Sequence, residues 1–294
     1  MRTVAVLYAA RMDLRQLRAL VAVVDAGSFT DAATVLGVSQ AAMSRSIAAL
    51  ERALGVRLLH RTTRQVALTE TGVKVLAQAR RVLDEVAHLE HIVAGSRAEL
   101  RIGYAWAALG RHTRGLQKRW ASKHPEVPLI FVHANEPTAG LSDGTADVAV
   151  LRTPADDPRF ALAEVGRERR VVAMATEHSL ARRRTLRLAD LARYPIAMDS
   201  RTGTTTPEMW PAEARPRIVR RTHTVDEWLT SIAANQAIGV TPEATAQQNP
   251  RPGVAYRALR DAPPITVWLA WRPDSPPAHL HELIDMAKAL YEKR

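Results

Sequence analysis

Gln40, Ala41, Ser44 and Arg45 recur at the spacing of one helix face, and their types suit base edges. Gln pairs bidentately with adenine and Arg with guanine, while Ser and Ala fit closely beside bases or thymine methyls. Further on, Arg61 and Arg64 bracket the tip of a short hairpin read between Leu58 and Leu68, where they can meet phosphates or the minor groove. Thr30, Ser39 and Thr62 complete this candidate DNA-binding set. A second group, Ser200, Arg201, Thr202, Gly203 and Thr204, is rich in hydroxyls and backbone donors just ahead of a helix, which suits a carboxylate or other anion. Its plain alternative is a surface turn with capping threonines. Ala105 and Trp106 follow another strand and offer an aromatic wall, with burial in the core as the alternative for Trp106.

Other reactive groupings are weaker. Glu85, His88 and His91 share one helix face, but zinc wants at least three well-placed protein ligands, and such a pair reads as a solvated surface. His279-Leu280-His281-Glu282 does not match the HExxH pattern. Zero cysteines rule out a thiolate metal site and a cysteine nucleophile, and no P-loop or GxSxG motif is present. The sequence therefore points to neither an enzyme nor a resident cofactor or metal. A transport-linked solute-binding protein is the other rival, and the N-terminal reading head argues against it.

These residues need elements to hold them. From Asp13, apolar residues fall at Leu14, Leu17, Val21 and Val24, a helix face that Asp13 can cap and Gly27 can end. Ser28 opens a second helix through Phe29, Ala32, Ala33 and Leu36. Gly37-Val38-Ser39 then turns into a third helix carrying Met43, Ile47, Leu50 and Leu54 inward. Two short helices around a glycine turn are what a helix-turn-helix requires. Thr69 can cap a long helix to Ala94, about 39 Å in length. Its apolar residues Val75, Ala79, Val82, Val86, Leu89 and Val93 form a heptad seam that needs a cover, either a second subunit or the chain's own domain.

Residues 12–72 closely resemble the LysR-type transcriptional regulators, through Ala26-Gly27-Ser28-Phe29-Thr30-Asp31-Ala32-Ala33, Val38-Ser39-Gln40-Ala41-Ala42-Met43-Ser44-Arg45-Ser46-Ile47 and Leu68-Thr69-Glu70-Thr71-Gly72. The likeness continues with lower specificity to the end. Ala41 departs from the proline that many members carry, which bears on base preference and leaves the fold intact. The resemblance implies an α/β protein overall: an all-α winged helix-turn-helix N-terminal domain at 12–68, a linker and dimerisation helix at 69–95, and a two-lobed effector domain at 96–294 similar to periplasmic solute-binding proteins. Residues 1–11 read as an N-terminal extension, since their short apolar run is bare for a signal-peptide core. It further implies double-stranded DNA with interrupted-palindrome sites, a small-molecule effector of carboxylate or aromatic type, a homodimer or homotetramer, RNA polymerase as a further partner, and a cytoplasmic location. Asn135 and Thr138 fall where family members touch effector.

The remainder supports that architecture. At 294 residues and 47% hydrophobic side chains, the chain has room for two or three domains with real cores. No apolar run reaches the ~18 residues of a membrane span. The net charge of +11 favours polyanionic partners, but residues 1–95 hold only 12 basic against 8 acidic side chains, so charge alone does not locate a DNA site. Strand-like runs at 100–104, 129–132, 147–151, 170–175, 195–198, 217–220, 238–240 and 265–271 alternate with helical ones near 109–123, 186–192, 207–214, 225–235 and 277–290. That alternation predicts a mainly parallel sheet. The last strand is expected to return to the first lobe. Arg167–Arg170 and Arg182–Arg184 read as solvated basic faces.

Overall fold

The computed structural model describes residues 12–60, 66–93, 99–199 and 203–292. The chain divides into two compact units, Met1–Ala94 and Gly95–Arg294. No helix among the described residues is long and apolar enough to cross a membrane.

In the first unit α1 spans Leu14–Ala26. Asp13 accepts from the Arg15 amide at 3.0 Å while Gln16 reaches back to the Asp13 amide, a capping box. Gly27, at φ 72°, ends the helix in a conformation that only glycine adopts freely. The buried face differs from the expected one. Leu17, Ala19, Leu20 and Val23 point inward, while Leu14 is 37% exposed and Val21 and Val24 are half-buried. The helices over Phe29–Val35, Gln40–Leu54 and Glu70–Val93 all pack against α1, so Val21 and Val24 sit at the margin of the same core.

Ser28 caps α2, Phe29–Val35, and Ser39 caps α3, Gln40–Leu54, by accepting from the Ala42 amide at 3.2 Å. Met43, Ile47 and Leu50 are buried as expected. Leu54 is not: it is 37% exposed, because the chain turns at Gly55 just past the core. The wing root is a short antiparallel pair, β1 (Leu59–His60) with β2 (Ala67–Leu68). Glu51 of α3 fastens it by accepting from the Leu58 and Leu59 amides.

The long helix α4 runs Glu70–Val93, capped by the Thr69 hydroxyl, which accepts from the Gly72 amide at 2.9 Å. A Cβ on Gly72 would lie 2.1 Å from the Leu58 carbonyl oxygen, so the helix can start against the wing only with glycine there. The expected intersubunit seam splits. Ala79 is buried and Val75, Leu76 and Leu83 pack with it into the unit's own core, so Val75 and Ala79 are already covered. Val82 and Leu89 stay 40% and 60% exposed, and Val86 is half-buried.

The second unit has two lobes. In the first, β3 (Leu100–Tyr104) leads through a 3-10 turn at Gly110–His112 into α5 (Thr113–Lys123), then β4 (Leu129–His133), β5 (Val148–Leu151) and β6 (Ala161–Glu168). The second lobe holds β7 (Arg170–Ala175), β8 (Thr185–Leu186), α6 (Leu188–Leu191), β9 (Ile196–Asp199), β10 (Ile218–Thr222), α7 (Val225–Ala233), β11 (Gly239–Pro242), α8 (Glu243–Gln248) and β12 (Val254–Leu259). The chain then returns through β13 (Ile265–Trp271) and ends in α9 (Leu280–Glu292). The helix expected over 207–214 is instead two 3-10 turns, Pro207–Met209 and Ala212–Ala214, because Pro211 between them has no amide to donate.

The sheets are mixed, which corrects the mainly parallel expectation. The first-lobe order is β4-β3-β5-β13-β6, with β3 parallel to β4 and β5, and β13 antiparallel to β5 and β6. The second-lobe order is β11-β7-β12-β8, with β7 antiparallel to both neighbours. A parallel β9–β10 pair attaches through an Ile196–Ile238 bridge. Helices α5 and α9 cover one face of the first sheet over Ile102, Val148, Val267 and Leu269.

Candidate functional site

Each unit carries one candidate site. In the first, the Ser39 cap aims the start of α3 outward, so Gln40, Ala41, Ser44 and Arg45 are all exposed on one face. Arg45 has no carboxylate partner among the described residues, which leaves its five donors for an outside acceptor. Thr30 is exposed on α2. The Ser39 hydroxyl is already engaged as the cap, so only its exposed edge faces outward. Arg61, Thr62 and Arg64 lie outside the described residues; the strands that lead to them are in place. The side chains of His88 and His91 lie outside them too.

In the second unit a cavity of about 220 Å³ opens between the lobes. Ala105, Trp106, Glu136, Pro137 and the run Val150–Asp156 line it from the first lobe. Met198, Asp199, Gly203, Thr204, Thr205, Trp228, Val240, Thr241, Pro242 and Thr245 line it from the second. Four sequence-expected residues are therefore wall residues: Ala105, Trp106, Gly203 and Thr204. Ser200, Arg201 and Thr202 lie outside the described residues. Asn135 and Thr138 are not among these wall residues. Asn135 bridges the lobes by donating to the His223 carbonyl, and Thr138 turns into a local network with Glu136 and with Ser142 at 2.7 Å. Glu136 and Pro137, between them, form the wall instead.

The wall is built from below. Arg152 closes β5 and is 9% exposed, and its guanidinium donates to both oxygens of the 3%-exposed Glu168 at 2.9 Å. It also donates to the Ala107 and Ala108 carbonyls at 2.6 Å, which fixes the loop that carries Trp106. Burial pulls the Arg152 pKa down, but the Glu168 charge and hydrogen bond outweigh it, so the net shift is upward. Tyr291 donates to the same carboxylate at 2.8 Å, and burial, then Glu168, pushes the Tyr291 phenol up.

Across the cavity, Arg170 donates to the Thr204 and Pro263 carbonyls at 2.8 and 2.9 Å. It is 8% exposed, not solvated as the basic run suggested, because strand alternation turns Glu168 and Arg170 inward and Arg167 and Arg169 outward. Burial without a carboxylate partner among the described residues lowers its pKa to about 10. Gly203 approaches the Asp199 carbonyl so closely that a Cβ would stand 2.6 Å from it.

The interior is mainly apolar. The Trp106 and Trp228 rings meet at 5.4 Å, tilted by 58°. Trp228 donates to the Ala197 carbonyl, whereas the buried Trp106 Nε1 has no hydrogen-bond partner among the described residues. Thr241 and Thr245, in the same lining, are almost fully buried. Among the described residues the charged lining is Glu136, Asp156 and Asp199, with Arg152, which is paired to Glu168. Sequence reading missed Glu136, Arg152, Thr205, Thr241 and Thr245. A readable signal existed for Arg152, a charge directly after the buried run Val148–Leu151, where strand ends meet a cleft.

Comparison with known proteins covers both units. A model of the LysR substrate binding domain matches residues 94–292, and one of the bacterial regulatory helix-turn-helix protein, lysR family, matches residues 14–73. An SDS degradation transcriptional activation protein of a Pseudomonas species is 40% identical over 204 residues, covering 63% of this chain and 64% of that protein. YnfL of Escherichia coli, an HTH-type transcriptional regulator, is 35% identical over 201 residues, covering 66% and 68%. The match thus spans just under two thirds of the first relative's length. The crystal structure of CbnR, a LysR family transcriptional regulator, superposes with a TM-score of 0.55 at 25% identity, over 94% of this chain and 100% of that one.

Proposed function

This chain belongs to the LysR family of bacterial helix-turn-helix regulatory proteins, and we propose that it is a sequence-specific DNA-binding transcriptional regulator switched by a small molecule. The observation that carries the proposal is the exposed, unpaired Gln40–Arg45 face at the capped start of α3. That face pairs with base edges in a major groove, and the wing adds phosphate contacts through Arg61 and Arg64. Relatives fit this role, since the two named above are a transcriptional activation protein and a transcriptional regulator. The protein acts in the cytoplasm, where its DNA target lies.

The exposed Val82 and Leu89 on α4 support a homodimer, with a homotetramer as a pair of dimers. A two-fold protein reads half-sites as an interrupted palindrome. The switch is a ligand in the inter-lobe cavity. Its paired tryptophans, acidic rim and modest volume favour a small aromatic over a free carboxylate, with an acceptor atom for the Trp106 indole. Ligand alters DNA binding only by favouring one arrangement of the subunits.

Gel retardation with DNA upstream of the protein's own coding region tests the main claim. Sequence-selective binding that weakens steeply with salt is expected. Binding that does not distinguish this DNA from an unrelated duplex refutes it.

A further inference from the structure

We propose that His124, His279 and Glu282 form a binding site for one divalent transition-metal ion of the zinc class, at the junction of α5 and α9. His124 directly follows α5, and its side chain is 7% exposed. Its Nε2 lies 2.9 Å from Glu282 Oε2. His279 directly precedes α9 and stacks on His124, ring centroids 4.2 Å apart. The ligand atoms of all three lie within 4.8 Å of one another. A tetrahedral zinc ion with bonds near 2.0–2.2 Å holds its ligands roughly 3.3–3.5 Å apart, so side-chain rotation alone closes the set.

An ordinary ion-pair network accounts for part of this cluster. Lys123 reaches the same Glu282 oxygen at 2.7 Å, so lysine and histidine together satisfy that carboxylate. His279 has no place in that account. Its backbone is left-handed, φ +61°, a conformation costly for a residue with a Cβ. Its ring is solvent-exposed and meets those of Trp120 and His124, with centroids 6.3 and 4.2 Å away. The strained backbone thus holds a ligand against a second histidine and a carboxylate.

The surroundings also suit a metal. Glu126 Oε1 stands 3.9 Å from His124 Nδ1, so a small side-chain shift would let this outer carboxylate accept a hydrogen bond from that ring N–H. With Oε2 on the metal, Lys123, which reaches that oxygen in the metal-free site, would pair with the other Glu282 oxygen. Two imidazoles and a carboxylate select zinc and its neighbours over calcium or magnesium, and leave a fourth position for water. Such an ion would clamp the first lobe, tying the end of α5 to the start of α9 at residues that do not line the inter-lobe cavity.

Zinc chloride titrated into full-length, chelator-stripped protein should show one site per chain by calorimetry. Cobalt(II) in its place should develop the visible absorption of a four-coordinate nitrogen and oxygen site. His279→Gly removes one ligand and relieves the left-handed backbone, so it keeps the fold; Glu282→Gln removes the charged one. Since losing even an outer partner costs 10–100-fold, each should weaken zinc by at least about 100-fold. A His88→Gln, His91→Gln variant on α4 should bind as the parent does. No zinc binding by the parent, binding that survives His279→Gly, or binding lost only in the α4 variant each overturns the assignment.

Discussion

Glu168→Ala should damage the α/β unit more than its single side chain suggests. Glu168 and Arg152 form a pair with side chains 3% and 9% exposed, so among the described residues this carboxylate offsets a buried guanidinium. The substitution removes three accepted hydrogen bonds, two from Arg152 at 2.9 Å and one from Tyr291 at 2.8 Å. Breaking one side of a buried pair costs about 3–5 kcal/mol, and a stranded phenol adds about 1–3 kcal/mol. The groups form one network, so these figures overlap, and about 4 kcal/mol is expected. That is nearly a thousand-fold in the folding equilibrium. All 6 tryptophans fall within residues 95–294, so tryptophan fluorescence during urea unfolding reports this unit alone. The midpoint should fall with little change in slope. The double variant Arg152→Met, Glu168→Leu should recover part of the loss, but not all, because the Ala107 and Ala108 carbonyls lose their donor. A loss below about 1 kcal/mol for Glu168→Ala would refute the reasoning, since that is the value of a solvated pair.

Arg45→Ala should cost about 1–3 kcal/mol of operator affinity and relax preference at one position, read by competition against permuted sites. Val82→Glu places a charge on a residue 40% exposed in the single chain, so the variant should fold yet sediment as a monomer at low micromolar concentration. A stable Val82→Glu dimer would move the interface elsewhere. Burial, then Arg111, holds the His112 imidazole below its ordinary 6.5, so its stabilising contribution is present above that pH and is lost as pH falls further. Fluorescence melts on either side of that value should show a shallower acid loss for His112→Asn.

Local chemistry was legible; distant pairing was not. Asp13, Ser28, Ser39 and Thr69 cap their helices within three residues of themselves, so sequence alone located those starts. The heptad on α4 announced a seam without saying which part α1 would cover, and Val75 and Ala79 went to the chain's own core. Strand β6 carries Glu164, Arg167 and Glu168 among its apolar residues and was missed, since its pairing comes from β13 far along the chain. The Arg152–Glu168 pair was hidden with it. Ala105, Trp106, Gly203 and Thr204 line the cavity because strand ends converge on a cleft, whereas Asn135 and Thr138 flank the lining residues Glu136 and Pro137 in a turn whose register only contacts decide.

The place of β13 has a consequence for how the protein is made. β5 ends at Leu151 with all four residues buried, yet its neighbour on one side begins only at Ile265. During synthesis at roughly 5–20 residues per second, that apolar strand waits on the order of ten seconds with an open edge. The helix-turn-helix unit meanwhile depends on nothing downstream of α4 for its core. A message cut short before Ile265 would therefore yield a finished reading head attached to a lobe that cannot close, and cellular proteases would meet that exposed edge first.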